Sequence, residues 1–382
     1  MNGVSVAAAP LKLGRQPAFW VFLVLLGGCV TMVGLEQVAY LASYPGAWFL
    51  SVILLAATAI PAGLIIYRFD LFEPEPASLI AIALLWGGVV ALSFASIANS
   101  SLLSFVQNIV PARQADSWGA AIVAPINEEF YKAAGLIILY LMARSEFDGV
   151  MDGLVYGAMI GLGFQVVENV QYFMLAAGES GGGGAGPVVS MFFLRVVVSG
   201  LYSHMLFTGL LGFGFAFFVT QRQRRRAERV GILVLCAALA WGAHFIWNSP
   251  WLEALMGRGT GEFVIAVIIK GTPFATLLVL LAVFARRRET QAFARLMKAE
   301  VGSDVVTPEE FEVLRNGRRR RRTLRWMKKA RGPGPHAVLK QLMRAQMNLA
   351  LFHGKVDTAD HPALEAQREV VRGLKARLAG LS

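Results

Sequence analysis

Long apolar segments alternate with short polar ones along the first three quarters of the chain. A membrane-spanning helix needs about 20 apolar residues, and eight segments meet or approach that length: roughly 18–42, 45–67, 77–99, 117–142, 150–177, 188–220, 230–250 and 262–285. The sixth is overlong, so it either tilts or breaks near Gly200. The pattern predicts an all-α polytopic membrane helix bundle of about eight transmembrane helices, with a cytoplasmic helical C-terminal tail.

Composition agrees with this pattern. Hydrophobic residues make up 56% of the 382 positions and charged residues 16%, whereas soluble domains carry about 25% charged residues. Cys29 and Cys236 both lie in apolar runs, which indicates buried thiols. The chain therefore offers neither a disulfide framework nor a cysteine-rich zinc motif.

Positive charge indicates the orientation of the bundle. The net charge is +11, and arginine clusters at 222–226 and 286–288 follow the sixth and eighth spans. With eight spans, both clusters fall on the side of the N-terminus, and the opposite connections are poor in charge. The positive-inside rule then predicts cytoplasmic N- and C-termini in a bacterial-type cytoplasmic (inner) membrane.

The first apolar run has a second interpretation. Lys12 and Arg15 precede it, as in a signal peptide, and Ala39 to Ala42 loosely match a cleavage site. The length of the run and the spans that follow favour an uncleaved first helix.

Three regions follow: a cytoplasmic N-terminal segment (1–16), a transmembrane bundle (17–288) and a basic, mostly helical cytoplasmic tail (289–382). In the tail, Thr307 precedes proline and two glutamates, the pattern of a capped helix start. Residues 332–335 indicate a break, and Leu364 to Leu378 have amphipathic spacing. A solvated helical tail without a separate activity is favoured over a domain that binds a partner or the membrane surface.

Five consecutive arginines, Arg318 to Arg322, suggest a charged partner for the tail. Beside hydrophobic spans, anionic lipid is a simpler partner for the basic loop and tail than nucleic acid. No nucleic-acid partner is expected.

A few ionisable residues lie inside the predicted spans, and each is costly there. One ionised carboxylate near the bilayer centre costs about 2.5–3.5 kcal/mol, and Glu128 and Glu129 are adjacent. At 1.5 Å per residue, Glu128 lies roughly 17 Å from the outer end of its span. Glu168, His204 and His244 fall at overlapping middle-to-outer depths on three other spans. Four costly choices at one depth favour a shared site.

Two histidines and carboxylates match a zinc site of the His₂Glu type, which keeps a fourth position for water. The metal lowers the pKa of that water, and a nearby glutamate takes its proton. That chemistry hydrolyses amides. The alternative is that these residues have structural roles.

The structural alternatives differ from residue to residue. Glu128 could pair with Lys132 one helical turn away, Glu168 could hydrogen-bond its neighbour Asn169, and Lys270 could snorkel. Glu36 has no evident partner. Arg195 and His204 are nine positions apart, so they share a site only if their helix breaks.

The ordered motifs resemble the PrsW family of intramembrane metalloproteases over about residues 20–285. The motifs are Glu128-Glu129-Phe-Tyr-Lys132, Phe164-Gln-Val-Val-Glu168-Asn169, His204, and His244-Phe-Ile-Trp-Asn248. More distant relatives are the CAAX-prenyl endopeptidases and the bacterial Abi proteins, which place a histidine where this chain has Glu168. The PrsW pattern has the glutamate.

The resemblance implies a peptidase that hydrolyses membrane-anchored protein substrates, and its type member cleaves an anti-sigma factor on the extracytoplasmic side. We expect Glu128 to be the general base, Glu129 to be a ligand or to orient the water, and Asn248 to stabilise the oxyanion. We expect Zn²⁺, an inferred ion, on His204 and His244, with Glu168 as third ligand or as a neighbour of the ligands. Exchanging the two adjacent glutamates is almost as defensible, and no organic cofactor is expected.

A non-catalytic protein is the rival hypothesis. A transporter or scaffold could use the same glutamates, lysine and histidines for proton or ion movement. Polar groups that converge on one closed site favour the peptidase, whereas a path through both leaflets favours the transporter.

Overall fold

A computed structural model describes residues 12–68, 75–181, 184–198, 203–250, 260–355 and 361–381. These residues are almost entirely helical and contain no strand apart from an isolated bridge between Val301 and Val306. The predicted all-α polytopic bundle is therefore confirmed. Most of the predicted N-terminal segment lies outside the described residues.

The chain divides into two compact units, one from Leu11 to Ala285 and one containing Arg286 to Ser382. The helices of the first unit are α1 (Pro17–Ser43), α2 (Pro45–Tyr67), α3 (Ala77–Leu85), α4 (Leu92–Ile109), α5 (Ala112–Met142), α6 (Val150–Glu179), α7 (Ala185–Phe192), α8 (His204–Thr220) and α9 (Arg226–Asn248). Helix α10 (Thr260–Leu296) begins in this unit and continues into the second.

Among the described residues, six helices are long and apolar enough to cross a membrane: Pro17–Ser43, Pro45–Tyr67, Ala77–Ile109, Val150–Glu179, Arg226–Asn248 and Val267–Ala299. They correspond to six of the eight predicted spans. The fourth prediction falls on α5, whose 31 residues suffice in length but include the buried charged groups of the site. The sixth prediction falls on two shorter apolar helices, Ala185–Val198 and His204–Thr220.

The overlong sixth span is thus not one described helix. A π-helical turn, Phe193–Val198, extends α7, and α8 begins at His204. Gly200, the predicted break, lies outside the described residues.

Helix α6 is the central helix of the first unit. In its most apolar stretch, 89% of the residues are buried. Its most extensive packing is with α8. A Cβ added at Gly157 or Gly161 would meet the backbone carbonyls of Thr208 and His204. Because glycine has no side chain, the two backbones approach closely. This contact fixes the start of α8 against the middle of α6.

A π-helical turn, Trp86–Ala91, joins α3 to α4. Its two glycines lie against α6, where a Cβ at Gly87 would meet the carbonyl of Ile160. The indole Nε1 of Trp86 donates to the carbonyl of Tyr131, 2.9 Å away. The turn thereby ties α4, α5 and α6 together beside the polar residues of α5.

The second unit has its own core, which the sequence analysis did not predict. Its helices are α11 (Pro308–Leu314), α12 (Gly317–Arg331), α13 (Pro333–Lys355) and α14 (Pro362–Ala379). Leu314, Leu349, Leu364 and Val371 are almost completely buried. The Leu364–Leu378 segment buries this apolar side because α13 packs against α14.

The capped helix start and the helix break predicted in the tail are both present. Thr307 caps α11, and Thr307 and Glu310 form a reciprocal capping box. Helix α12 ends at Arg331, and Gly332 has a φ of 85° before α13 begins. Glycine adopts this left-handed conformation without a steric penalty, which explains the predicted break.

Buried Glu300 connects distant parts of the second unit. Its Oε1 lies 2.6 Å from His353 Nε2 and 2.7 Å from the Arg368 guanidinium. Burial alone would raise the pKa of Glu300, but hydrogen bonds from Arg368 and His353 outweigh burial and hold the pKa below its ordinary value.

Candidate metal centre and active site

Helix α5 carries three charged side chains that are removed from solvent. Glu128 and Glu129 are 4% and 7% exposed, and Lys132 is fully buried. Residues three and four apart share one helix face, so the Lys132 ammonium reaches both carboxylates. It donates to Glu128 Oε2 at 3.3 Å and to Glu129 Oε1 at 2.9 Å. The ion pair between Glu128 and Lys132, one of the sequence alternatives, is present.

His204 is the first residue of α8, and its two ring nitrogens face different partners. Nδ1 lies 2.7 Å from Lys132 Nζ and 3.7 Å from Glu128 Oε2. Nε2 lies 3.0 Å from Glu168 Oε2. Because the ammonium can only donate, Nδ1 is the acceptor and Nε2–H donates to Glu168. The lone pair of Nδ1 therefore faces the Lys132 ammonium, with Glu128 Oε2 3.7 Å away.

His244, on α9, has a similar arrangement. Its Nδ1 lies 3.0 Å from Glu129 Oε1, and its Nε2 lies 3.8 Å from Glu128 Oε2. The ring stacks on Phe207 with centroids 4.8 Å apart. With Nδ1–H donating to the Glu129 carboxylate, the free lone pair of Nε2 faces Glu128.

Arg195 and Asn169 complete the surroundings of Glu168. The Arg195 guanidinium donates to Glu168 Oε2 at 2.9 Å and to Asn169 Oδ1 at 2.8 Å. It also stacks over the Tyr172 ring at 3.6 Å. Arg195 and His204 thus share a partner, as expected if their helix were interrupted.

Sequence reasoning missed Asn99. The amide of Asn99 donates to Glu128 Oε1 at 3.2 Å and accepts a hydrogen bond from Asn127 at 3.0 Å. The third predicted span ended at residue 99, whereas α4 continues to Ile109. A polar residue within a longer helix was the available signal.

Asn248 lies in the wall of the same cavity, further from the carboxylates. Its amide is 3.5 Å from the carbonyl of Ala120. A cavity of about 800 Å³ extends from Glu128, Glu168, His204 and His244 to Asn248. The oxyanion role of Asn248 stays a prediction.

Two other intramembrane charges have partners away from the cluster. Glu36 accepts from Gln171 at 3.0 Å and from Tyr40 at 2.9 Å, a pairing that sequence analysis did not identify. Lys270 donates to the carbonyls of Trp247 and Ser249, each at 3.0 Å, so it binds the end of α9. Both cysteines are free and buried, as predicted.

The donor atoms suit a divalent metal. Glu128, His204 and His244 each offer one ligand atom, and these atoms lie within 4.8 Å of one another. Glu168 is outside this group and contacts the opposite nitrogen of His204. A carboxylate on the far nitrogen of a ligating histidine fixes the tautomer and orients the ring, and Glu168 and Glu129 occupy that position for the two histidines.

One buried oxygen also fits such an ion or its water. Glu129 Oε2 has no hydrogen-bond partner among the described residues, although it is buried. A carboxylate oxygen rarely stays unsatisfied in a protein interior. The other oxygen of the same carboxylate, Oε1, contacts both Lys132 and His244, so this unsatisfied oxygen belongs to a residue that adjoins the candidate ligands.

Comparison with known proteins agrees with the motifs. Residues 75–285 match the model of the PrsW family, described as intramembrane metalloproteases. "Protease PrsW" of Geobacillus kaustophilus is 29% identical over 160 residues, 41% of this chain and 63% of the relative. "Protease PrsW" of Oceanobacillus iheyensis is 26% identical over 164 residues, 43% and 64% respectively.

The matched segments therefore span somewhat less than two thirds of these relatives. No solved structure matches the chain. The family match covers more than half of the chain and contains every residue of the buried cluster. The chain belongs to the PrsW family of intramembrane metalloproteases.

Proposed function

We propose that the protein hydrolyses peptide bonds of membrane-anchored substrates at the cluster of Glu128, His204 and His244. The observation that carries this proposal is the pairing of each histidine with its own carboxylate: Glu168 holds the far nitrogen of His204, and Glu129 holds that of His244. A structural ion pair with Lys132 does not require two histidines oriented in this way.

The geometry supports a different division of roles from the sequence expectation. Glu128, His204 and His244 would hold the ion, which we propose is Zn²⁺ because a His₂Glu donor set is characteristic of catalytic zinc. Glu168 would orient His204 instead of serving as a ligand. A bound ion would supply Lewis-acid polarisation and a lower pKa for a coordinated water.

Proton transfer is then assigned to Glu129. Its Oε1 is held by Lys132 and His244, and its Oε2 is unpartnered. This second oxygen would take the proton of the water and return it to the leaving amine. Asn99 fixes Glu128 Oε1, and Asn248 in the cavity wall would bind the carbonyl oxygen of the substrate.

Access to the site favours a substrate anchored in the membrane. The cavity wall combines the polar residues of the site with apolar side chains of several helices, among them Leu92, Leu103, Leu175 and Val267. An unwound stretch of a transmembrane or juxtamembrane segment would fit into this cavity. An anti-sigma factor is one substrate of this class, and we propose cleavage near the extracytoplasmic side.

Purified protein and a single-span reporter substrate test this proposal. Glu128→Gln and His244→Ala should each reduce cleavage at least about 10²-fold and reduce the bound metal. Glu36→Gln is the matched control, because Glu36 is paired with Gln171 and lies outside the metal group. Undiminished cleavage in the double variant of Glu128 and His244 would contradict the mechanism.

Proton or ion movement is the second candidate, favoured by one observation. Glu129, Lys132, His204, Glu168 and Arg195 form a continuous chain of ionisable contacts. Such chains occur in proton relays. A flux in proteoliposomes that depends on Glu128, without any peptidase activity, would reverse the order of the two functions.

We also propose that α12 binds anionic lipid on the cytoplasmic side of the inner membrane. Arg318, Arg319, Arg321, Arg322 and Arg325 lie on one exposed surface, and Trp326 is 58% exposed beside them. Arginines bind lipid phosphates, and tryptophan favours the membrane interface.

Hydrogen exchange of residues 317–331 in nanodiscs tests this partner. Phosphatidylglycerol should protect these amides more than phosphatidylcholine does, and Arg321→Glu with Arg322→Glu should abolish the difference. Arg377→Glu, an exposed arginine of α14, is the control. Equal protection in both lipids, or displacement of phosphatidylglycerol by RNA, would contradict the proposal.

A further inference from the structure

The Lys132 ammonium lies among the atoms that would hold the metal. Its Nζ is 2.7 Å from His204 Nδ1 and 3.3 Å from Glu128 Oε2, and both are donor atoms of the candidate group. It is also 2.9 Å from Glu129 Oε1. The side chain is fully buried, so these protein groups replace the ammonium's hydration.

The donors are spaced more widely than the ligands of a zinc site. In a tetrahedral zinc site with bonds of about 2.0–2.1 Å, neighbouring donors lie about 3.3 Å apart. Glu128 Oε2 is 3.7 Å from His204 Nδ1 and 3.8 Å from His244 Nε2. Both spacings are wider by several tenths of an ångström, and the Lys132 ammonium contacts two of these donors, Glu128 Oε2 and His204 Nδ1, directly.

Charge excludes simultaneous occupancy of this position. Three carboxylates, Glu128, Glu129 and Glu168, face two cations, Lys132 and Arg195, which leaves one net negative charge. A divalent ion beside an ammonium about 3 Å away would meet strong repulsion at low dielectric. Either the metal ion or the Lys132 ammonium must therefore leave the space between the donors.

We propose that Lys132 is a tethered cation that holds the donor set together in the metal-free protein and yields its place to the metal. This inference rests on the proposed metal-dependent function. Lys132 has two other partners toward which it can withdraw, Glu129 Oε1 and the Phe164 ring, whose centroid is 4.1 Å from Nζ. The flexible four-carbon stem of the lysine side chain permits that movement.

Two roles follow from this position. In the metal-free protein, Lys132 neutralises buried carboxylates that would otherwise repel each other. In the metal-loaded protein, it remains beside Glu129 and holds that carboxylate in place. Lys132 thereby acts as a positioning residue that sets metal affinity, and it is not expected to touch the substrate.

Zinc affinity, measured by competition with a chelator on the full chain in detergent, tests the proposal. Lys132→Met removes the competing charge, so it should bind Zn²⁺ at least about tenfold more tightly than the wild type. Its thermal stability without metal should fall, and zinc should raise that stability more than it does in the wild type.

A second variant covers the case in which Lys132→Met does not fold. Lys132→Arg keeps the positive charge, and its planar guanidinium binds carboxylates with several donors at once. It should fold and should bind Zn²⁺ several-fold more weakly than the wild type. Lys270→Met is the charge-matched control, because Lys270 binds the end of α9, and its affinity should stay near that of the wild type.

His244→Ala separates the two ways of failing. If zinc binds to the wild type and is lost in His244→Ala, but Lys132→Met binds no more tightly, the tethered-cation role is overturned and the metal site stands. If no variant has a zinc site that depends on His244, the proposed metal chemistry fails together with this inference.

Discussion

Each histidine of the cluster turns one nitrogen toward Glu128 and gives the other to a different carboxylate. His204 contacts Glu168 and His244 contacts Glu129. Five residues of only two types, three glutamates and two histidines, thus have separate positions that depend on the atom each presents. This division is the basis for proposing Glu128 as the metal ligand and Glu129, whose Oε2 has no hydrogen-bond partner among the described residues, as the proton acceptor.

Glu168→Gln tests the orienting role at the scale of one residue. The amide still accepts a hydrogen bond from His204, but it loses the negative charge that makes the imidazole a stronger ligand. We expect metal affinity and kcat to fall by about 10–100-fold, with a much smaller change in KM. Chelator competition and initial rates measure these quantities.

Glu36→Gln serves as the matched control for this prediction. It removes another part-buried carboxylate of the first unit, one that pairs with Gln171 and Tyr40. An equal loss of metal affinity in both variants would contradict a specific role for Glu168.

At the scale of elements, close packing of α6 on α8 positions His204. Gly153, Gly157 and Gly161 face α8, and a Cβ at Gly161 would meet the His204 carbonyl. The backbone of His204, a predicted metal ligand, is therefore in direct contact with α6. The periodicity of α6 predicted an apolar helix, but which small residues touch which neighbour depends on the tertiary arrangement.

Gly161→Ala should disturb this contact. The added methyl group has to displace the start of α8, so we expect a loss of about 1–3 kcal/mol in the free energy of unfolding and weaker metal binding. Thermal unfolding in detergent and metal content measure the two effects.

Gly231→Ala is the control within the same unit. A Cβ at Gly231, on α9, meets nothing within 4 Å, and alanine favours a helix over glycine. This variant should keep or slightly increase stability. Similar destabilisation of both variants would contradict a packing effect specific to Gly161.

At the scale of the whole molecule, the chain combines a membrane unit with a folded C-terminal unit. The C-terminal unit buries Glu300 against Arg368 and His353, and these partners hold the pKa of Glu300 below its ordinary value of about 4.5. A carboxyl group with a lowered folded-state pKa contributes stability that is fully present above the unfolded pKa.

The C-terminal unit should therefore lose stability as the pH falls below about 4.5, through the folded-state pKa of Glu300. Glu300→Gln should cost about 1–3 kcal/mol near pH 7 and should flatten this pH dependence. Hydrogen exchange of residues 300–314 and 362–379 in the full chain, corrected for intrinsic rates, measures it.

Glu369→Gln is the control, since Glu369 is an exposed partner of Arg372. Exposed ion pairs contribute little, so its pH profile should match that of the wild type. A profile of Glu300→Gln that also matches the wild type would contradict the role of the buried carboxylate.

The local sequence alone predicts the bounds of two membrane helices, several residues of the candidate site and one helix cap. Hydropathy placed the ends of α1 and α2 to within a residue, because lipid requires a continuous apolar helix of a fixed length. Costly charges at one depth pointed to a shared site, and Glu128, His204 and His244 do converge. The Thr307 cap was predictable because its hydrogen bonds join residues three apart.

Tertiary structure decided what depends on neighbours distant in sequence. No local periodicity in the sequence predicts three features of the structure. These are the continuation of α4 that brings Asn99 to Glu128, the hydrophobic core of the C-terminal unit, and the position of Glu168 beside the far nitrogen of His204. Hydropathy reports how much of a helix can be buried. The relative rotation of α5, α6, α8 and α9 decides which carboxylate oxygen and which imidazole nitrogen face the candidate metal site. It also places Lys132 between these atoms.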